Sequence, residues 1–363
     1  MKRNLFFWLA AGAALSGAGF YFAFRNVPAG LLAESLEQVN YLWVIPGAAA
    51  GLLSFALRAE RWRLILGSTL KLPFLSAFHP LMIGFMINSL LPGRVGELAR
   101  PAIIKKQEGV AFALGLTTVA AERILDALTL ILLFALVLAS VHIDPNLQIE
   151  FMGRQLDRGT LENVSATLLK VCIIGAAAIG AVCIPAVERL VKKIIIKAPY
   201  AVLPEGSRLA AKIVQKCCIP LTRMLGNVIS GLSMVKHPAV LLLCVFYSFV
   251  IWLMQAFALY VLSLGFPGIL LGAAEVTAVF IIICLFIMLP SVPGYWGLWE
   301  AGGVFGLALF GVASNTAAGF ALISHVMLMI PVVLVGLYSA VSTGINIVRI
   351  SADTARRGVD MEP

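Results

Sequence analysis

Six charged side chains sit in or beside otherwise apolar stretches of this chain: Arg94, Glu97, Glu122, Arg123 and Asp126 in the first half, and Glu300 in the second. An ionised group at the centre of a membrane helix costs about 2.5–3.5 kcal/mol on insertion scales, so such groups need partners and point by default to function. Glu122 and Asp126 are four residues apart and share a helix face, with Arg123 beside them. That spacing allows one carboxylate to pair with a cation such as Arg94 while another exchanges a proton. Two plainer readings stand next to it. Arg94 and Glu97 can form a structural ion pair, and Glu122-Arg123 can mark a helix start at an interface.

Three of these charges, Arg94, Glu97 and Glu300, lie where apolar runs break. The chain reads Leu91-Pro92-Gly93-Arg94-Val95-Gly96-Glu97 and later Leu289-Pro290-Ser291-Val292-Pro293-Gly294-Tyr295-Trp296-Gly297-Leu298-Trp299-Glu300. Pro92, Gly93, Gly96, Pro293, Gly294 and Gly297 are the hinge residues. Irregular backbone at membrane depth survives only where it is buried in protein or lines a watery cavity, so both breaks are expected along a substrate path. A half-helix starting after Gly96 or Gly297 would turn free N–H groups toward an anion such as phosphate. Alternatively, Glu97 and Glu300 satisfy those starts as first-turn acids.

Asn88, Tyr295 and Trp296 extend the candidate substrate-binding set, although Tyr295, Trp296 and Trp299 also suit interfacial anchoring. His325, alone on an apolar helix, reads as a packing residue in preference to a proton relay. Arg58, Arg61, Trp62 and Arg63 read as snorkelling cations and an aromatic belt at the inner end of a span.

Composition supplies the membrane. With 61% apolar and 12% charged residues and a mean hydropathy of +0.98, the chain cannot be a soluble domain. The net charge of +9 does not signal nucleic acid, because Lys and Arg collect in loops flanking apolar spans. Six cysteines show neither a disulfide frame nor metal-ligand spacing and read as free thiols. No nucleotide loop, HExxH helix or GxSxG elbow is present. No cofactor and no enzymatic activity are expected.

Loop charges orient the chain. Residues 25–40 carry Arg25 against Glu34 and Glu37, whereas residues 58–73 carry Arg58, Arg61, Arg63 and Lys71 against Glu60. Residues 143–165 hold four acids, and residues 188–237 hold nine Lys/Arg against Glu188 and Glu205. Both termini are therefore expected in the cytoplasm. The expected order is a first helix and outer loop (1–40), a first repeat (41–142) with a hairpin at 74–121, and then 143–237. That middle stretch comprises an outer loop, a span and a basic amphipathic linker. A second repeat (238–347) with a hairpin at 274–312 and a tail (348–363) follow. The fold class is an all-α polytopic membrane protein of about six full spans plus two re-entrant broken-helix hairpins, in inverted-topology repeats.

At these residues the sequence resembles a flippase-like family related to the transmembrane region of lysylphosphatidylglycerol synthase. Asn88, Pro92-Gly93-Arg94, Gly96-Glu97, Arg100, Glu122-Arg123, Asp126, Pro293-Gly294, Gly297 and Glu300 carry the resemblance, over roughly 5–345. It adds Arg100 to the binding set. It implies movement of a lipid between leaflets of a bacterial inner membrane, the lipid being one with an anionic headgroup or of polyprenyl or hopanoid type. No synthetase domain is expected after the last span, so aminoacylation by this chain is not expected. Two rivals remain open: a lipid-modifying enzyme using Glu122 and Asp126 as acid and base, and a non-transporting envelope scaffold.

Overall fold

Proline and glycine decide where the helices stop. The computed structural model describes residues 2–67, 72–92, 94–140, 149–151, 154–156, 167, 170, 173–174, 177, 185–202, 213–222, 225–226 and 237–345. Gly93, most of the 143–184 stretch, parts of the basic linker and the 348–363 tail lie outside them.

The first half contains α1 (Lys2–Phe24), α2 (Ala29–Glu37), α3 (Val44–Gly67), α4 (Phe74–Leu90), α5 (Val95–Glu108) and α6 (Phe112–Ser140). A 3-10 turn at Tyr41–Trp43 leads into α3. Next come β1 (Ile149–Phe151) and β2 (Arg154–Leu156), paired antiparallel with Ile149 opposite Leu156. This small hairpin is the one departure from an all-helical chain among the described residues. The second half contains α7 (Pro185–Val202), α8 (Pro238–Ser263), α9 (Ala273–Ile287), α10 (Leu298–Ala308) and α11 (Ser314–Ser342).

Among the described residues, three helices are long and apolar enough to cross a bilayer: α3 with its leading turn, α8 and α11. Shorter apolar helices comprise Ala11–Phe24, α4 and α9. With the mean hydropathy, they make this a polytopic membrane protein. α6 is 29 residues long, about 43 Å at 1.5 Å per residue, but carries Glu122, Arg123 and Asp126 in its middle. Those charges therefore do not mark a helix start, because α6 begins ten residues before Glu122.

Each break has a local cause. Leu91 precedes Pro92, which disfavours helical backbone in the residue before it, and Leu91 is extended at φ −121°, ψ 145°. Arg94 then turns left-handed at φ 53° and α5 begins. In the second break, Val292 is extended ahead of Pro293, and Gly294, Tyr295 and Gly297 all have positive φ before α10 starts. α5 stops at Gly109, left-handed at φ 70°, where Lys105 and Lys106 complement the helix dipole.

The packing pairs correspond. α3 lies along α8; α4 folds back on α5 as α9 folds back on α10. α4 packs on α11 as α9 packs on α6, and α5 touches α6 as α10 touches α11. α1 covers α10, and α2 covers α11. One buried cluster joins Leu259, Phe266, Phe280 and Phe320; another joins Trp62, Leu81 and Met82. In the linker, α7 exposes Leu190 and Ile194 beside a Lys192–Glu188 ion pair of 2.6 Å. That is an apolar and a charged face on one helix.

Candidate functional site

Four arginines and three carboxylates meet where α3, α5, α6 and α8 pack. Arg61 Nη1 donates to Asp126 Oδ1 and to Ser248 Oγ, each at 2.7 Å, and Nη2 lies 3.5 Å from Glu122 Oε1. Arg100 Nη2 donates to Glu122 Oε2 at 2.6 Å, and its guanidinium lies 4.2 Å from the Trp62 ring centre. Arg123 Nη2 reaches Asp126 Oδ2 at 2.9 Å, and its Nη1 lies 3.8 Å from Glu97. The Trp252 indole donates to Asp126 Oδ1 at 3.1 Å. Every oxygen of Glu122 and Asp126 thus already accepts from a guanidinium, and neither matches a carboxylate left over to exchange protons.

Arg58 is the loosely held member. Its nearest carboxylate oxygen, Asp126 Oδ2, is 3.5 Å away, and its guanidinium is stacked 4.6 Å from the Trp252 ring with Phe55 and Phe85 at 5.9 Å. The Nε–H groups of Arg58, Arg61, Arg100 and Arg123 are all buried without an acceptor among the described residues. Four cations against Glu97, Glu122 and Asp126 leave one positive charge in excess among the described residues. Buried charge of one sign in low dielectric, with unused donors, favours an anion. Glu97 and Arg123 are part-exposed, at 27% and 34%, so the cluster has an open rim on that side.

The reading of Arg58 and Arg61 as snorkelling cations is overturned. Arg61 is fully buried and Arg58 is 4% exposed. Arg58 lies nine residues before the end of α3, about 14 Å of helix. Trp62 is likewise buried and donates to Thr118 Oγ1 at 3.0 Å, so it is no interfacial belt. Arg63 is part-exposed and paired with Glu60.

The two breaks meet beside this cluster. Arg94 is exposed and donates from Nη2 to the carbonyl oxygen of Ile287 at 3.0 Å; its guanidinium lies 6.0 Å from the Tyr295 ring centre. It therefore bonds neither Glu97 nor Glu122. The first N–H groups of the half-helices are filled from within: Gly96 N–H donates to Asn88 Oδ1 at 2.7 Å, and Gly297 N–H to Glu300 Oε2 at 2.6 Å. The first-turn-acid reading holds for Glu300. At Gly96, Asn88 takes that place.

Glu300 and His325 form a second buried centre that sequence reasoning missed. Glu300 Oε1 lies 2.7 Å from His325 Nδ1, and His325 Nε2 lies 2.7 Å from the Gly294 carbonyl oxygen. Trp296 and Trp299 pack on the imidazole at 4.3 and 5.1 Å, and Trp299 donates to Ser324 at 3.1 Å. Of the proposed binding residues, the structure brings Glu97, Arg100, Glu122, Arg123 and Asp126 into one network. Asn88, Arg94 and Tyr295 stand at the joined breaks, and Trp296 and Glu300 at the histidine.

A cavity of about 790 Å³ lies between α1, α9 and α10, lined largely by apolar side chains such as Leu15, Phe22, Leu289 and Phe305, with Arg25 and Asn26 among the rest. No arginine-cluster residue lines it. Among the described residues, no three His, Cys, Asp or Glu side chains group as for a metal.

No curated protein and no solved structure matches the chain. The family model of the lysylphosphatidylglycerol synthase TM region matches residues 9–336, nearly the whole of the helical bundle built around these charges. The chain belongs to that family.

Proposed function

We propose that this protein moves an anionic lipid between the leaflets of a bacterial inner membrane, holding the headgroup at the arginine cluster. The supporting observation is the surplus buried cation: among the described residues, Arg58 has only a 3.5 Å contact to a shared carboxylate, and four guanidinium Nε–H groups have no acceptor. A headgroup phosphate supplies both the charge and the acceptors. Glu97 and Arg123 would form the rim by which it enters. The joined breaks at Arg94 and Tyr295 would form the far wall.

The corresponding packing pairs support two units of inverted topology, residues 41–142 and 238–347, with α3 and α8 as their shared axis. Rocking one unit against the other would open the cluster to each leaflet in turn, with both termini cytoplasmic. The apolar cavity beside α1 suits an acyl chain. The acid–base reading of Glu122 and Asp126 has less support, since their oxygens are occupied by guanidinium groups.

The test is movement of fluorescent phosphatidylglycerol in proteoliposomes, read by bleaching of the outer leaflet. Arg58→Gln and Arg123→Gln should each slow exchange about tenfold, as losing roughly 1.4 kcal/mol of charge-assisted binding would. Unchanged rates in both variants would overturn the assignment.

A further inference from the structure

The hydrogen bonds around His325 count its protons. A peptide carbonyl only accepts, so the 2.7 Å contact to Gly294 requires a hydrogen on Nε2. The 2.7 Å contact between Nδ1 and Glu300 Oε1 requires another hydrogen, on either atom. Glu300 Oε2 is engaged by Gly297 N–H. The pair therefore holds one proton more than a neutral imidazole beside an ionised carboxylate, and is neutral overall. Neutrality suits its place, with Glu300 fully buried and His325 3% exposed.

Removing that proton breaks one of the two bonds whichever tautomer results. With hydrogen on Nε2 alone, two lone pairs face each other across Nδ1 and Oε1. With hydrogen on Nδ1 alone, Nε2 turns a lone pair to the Gly294 carbonyl and releases it. Gly294, at φ 71°, is the left-handed corner of the second break, and a Cβ placed there would meet the Ser89 carbonyl at 3.1 Å. The corner is thus wedged against the end of α4, next to the first break.

We propose that Glu300 and His325 form a proton-binding site, and that the bound proton latches the second break onto α11. The charged and titratable groups on the described parts of the elements packed around it are Tyr21 on α1 and Arg25 after it, Glu34 and Glu37 on α2, Arg58, Glu60, Arg61 and Arg63 on α3, His79 on α4, Arg94 and Tyr295 at the breaks, Glu275 and Cys284 on α9 and Tyr338 on α11; among the described residues no hydrogen bond or ion pair joins any of them to the dyad. The contacts around it are the two indoles and backbone. The latch stands on this geometry alone. That the proton is the coupling ion for lipid movement rests on the translocase reading.

Glu300→Gln separates proton from shape. A glutamine can accept from Gly297 N–H with its oxygen and donate to Nδ1 with its amide, mimicking the loaded pair permanently. Hydrogen exchange of the 294–300 amides in the full chain in nanodiscs, corrected for the pH dependence of free amides, reads the latch. In the parent protein, exchange should accelerate about tenfold as pH rises and the proton leaves, as loss of one buried hydrogen bond gives. In Glu300→Gln it should stay slow at every pH. Exchange independent of pH in the parent, or an undiminished pH response in Glu300→Gln, overturns the proposal.

Nitrogen-15 labelling of the four histidines counts the proton without any variant. A ring bare at Nδ1 beside an ionised Glu300 at the acid end would also overturn it. No lipid enters either measurement, so failure here leaves the translocase reading intact, and failure of the arginine variants leaves the latch intact.

Discussion

Arg94 and Tyr295, the two non-glycine residues with positive φ among those described, lie in different breaks, yet the guanidinium of one sits 6.0 Å from the ring centre of the other. A left-handed conformation costs roughly 1–2 kcal/mol for a residue with a Cβ, and persists only where surroundings over-determine it. Here the surroundings are the opposite break, through the bond from Arg94 to the Ile287 carbonyl. Arg94→Gly removes the backbone penalty along with that bond, whereas Arg94→Ala removes only the bond. Thermal unfolding in detergent should show the glycine variant more stable than the alanine variant by about 1 kcal/mol. Both should be impaired in lipid movement.

Arg61 and Arg58 should separate stability from function. Arg61→Met strands two buried carboxylates that it bridges, a change that typically costs about 3–5 kcal/mol. Arg58→Gln removes a buried cation whose desolvation its 3.5 Å contact repays poorly, and should cost less than about 1 kcal/mol while slowing transport. Chemical unfolding and liposome exchange on the same two variants check the pair. Equal destabilisation would mean that Arg58 is as tightly bound into the network as Arg61.

Gly96 sits where α5 packs tightly against α4. A Cβ there would collide with the carbonyl oxygen of Gly84, a backbone atom that cannot rotate away. Gly96→Ala should destabilise by about 1–3 kcal/mol or more, the usual cost of overpacking. Because Arg100 is on α5, the splay should also loosen its bond to Glu122. Retained monodispersity after heating, compared with the parent protein, is the readout.

Asn88 tests the cap without touching a charge. Asn88→Ala leaves Gly96 N–H without its acceptor and should cost about 0.5–2 kcal/mol. Asn88→Asp keeps an acceptor at the same position and should recover most of the loss. If the two variants unfold together, the cap does not hold the first break.

Gly297, at φ 85°, lies where a Cβ would run into the Ser16 carbonyl of α1. Gly297→Ala should therefore detach α1 from α10, seen as faster proteolysis between residues 25 and 28.

Local chemistry was readable from the chain alone. Apolar composition required a membrane, and Pro92, Gly96, Pro293 and Gly297 announced where helices must stop, because proline sterics and glycine freedom act on their immediate neighbours. Glu122 and Asp126 were recognisable because a helix face depends only on spacing.

What these groups face was decided by tertiary packing. Arg61 meets Asp126 across 65 positions and Ser248 across 187, and Glu300 meets His325 across 25. Spacing says which side of a helix a residue occupies, but not which helix lies against that side. Arg58 and Arg61 thus read as cations reaching for water when α6 and α8 enclose them, and His325 read as packing when a folded-back break brings a carboxylate to it. Helices and breaks follow from forces between near neighbours in sequence; the arginine cluster and the histidine latch exist only once the whole bundle has closed.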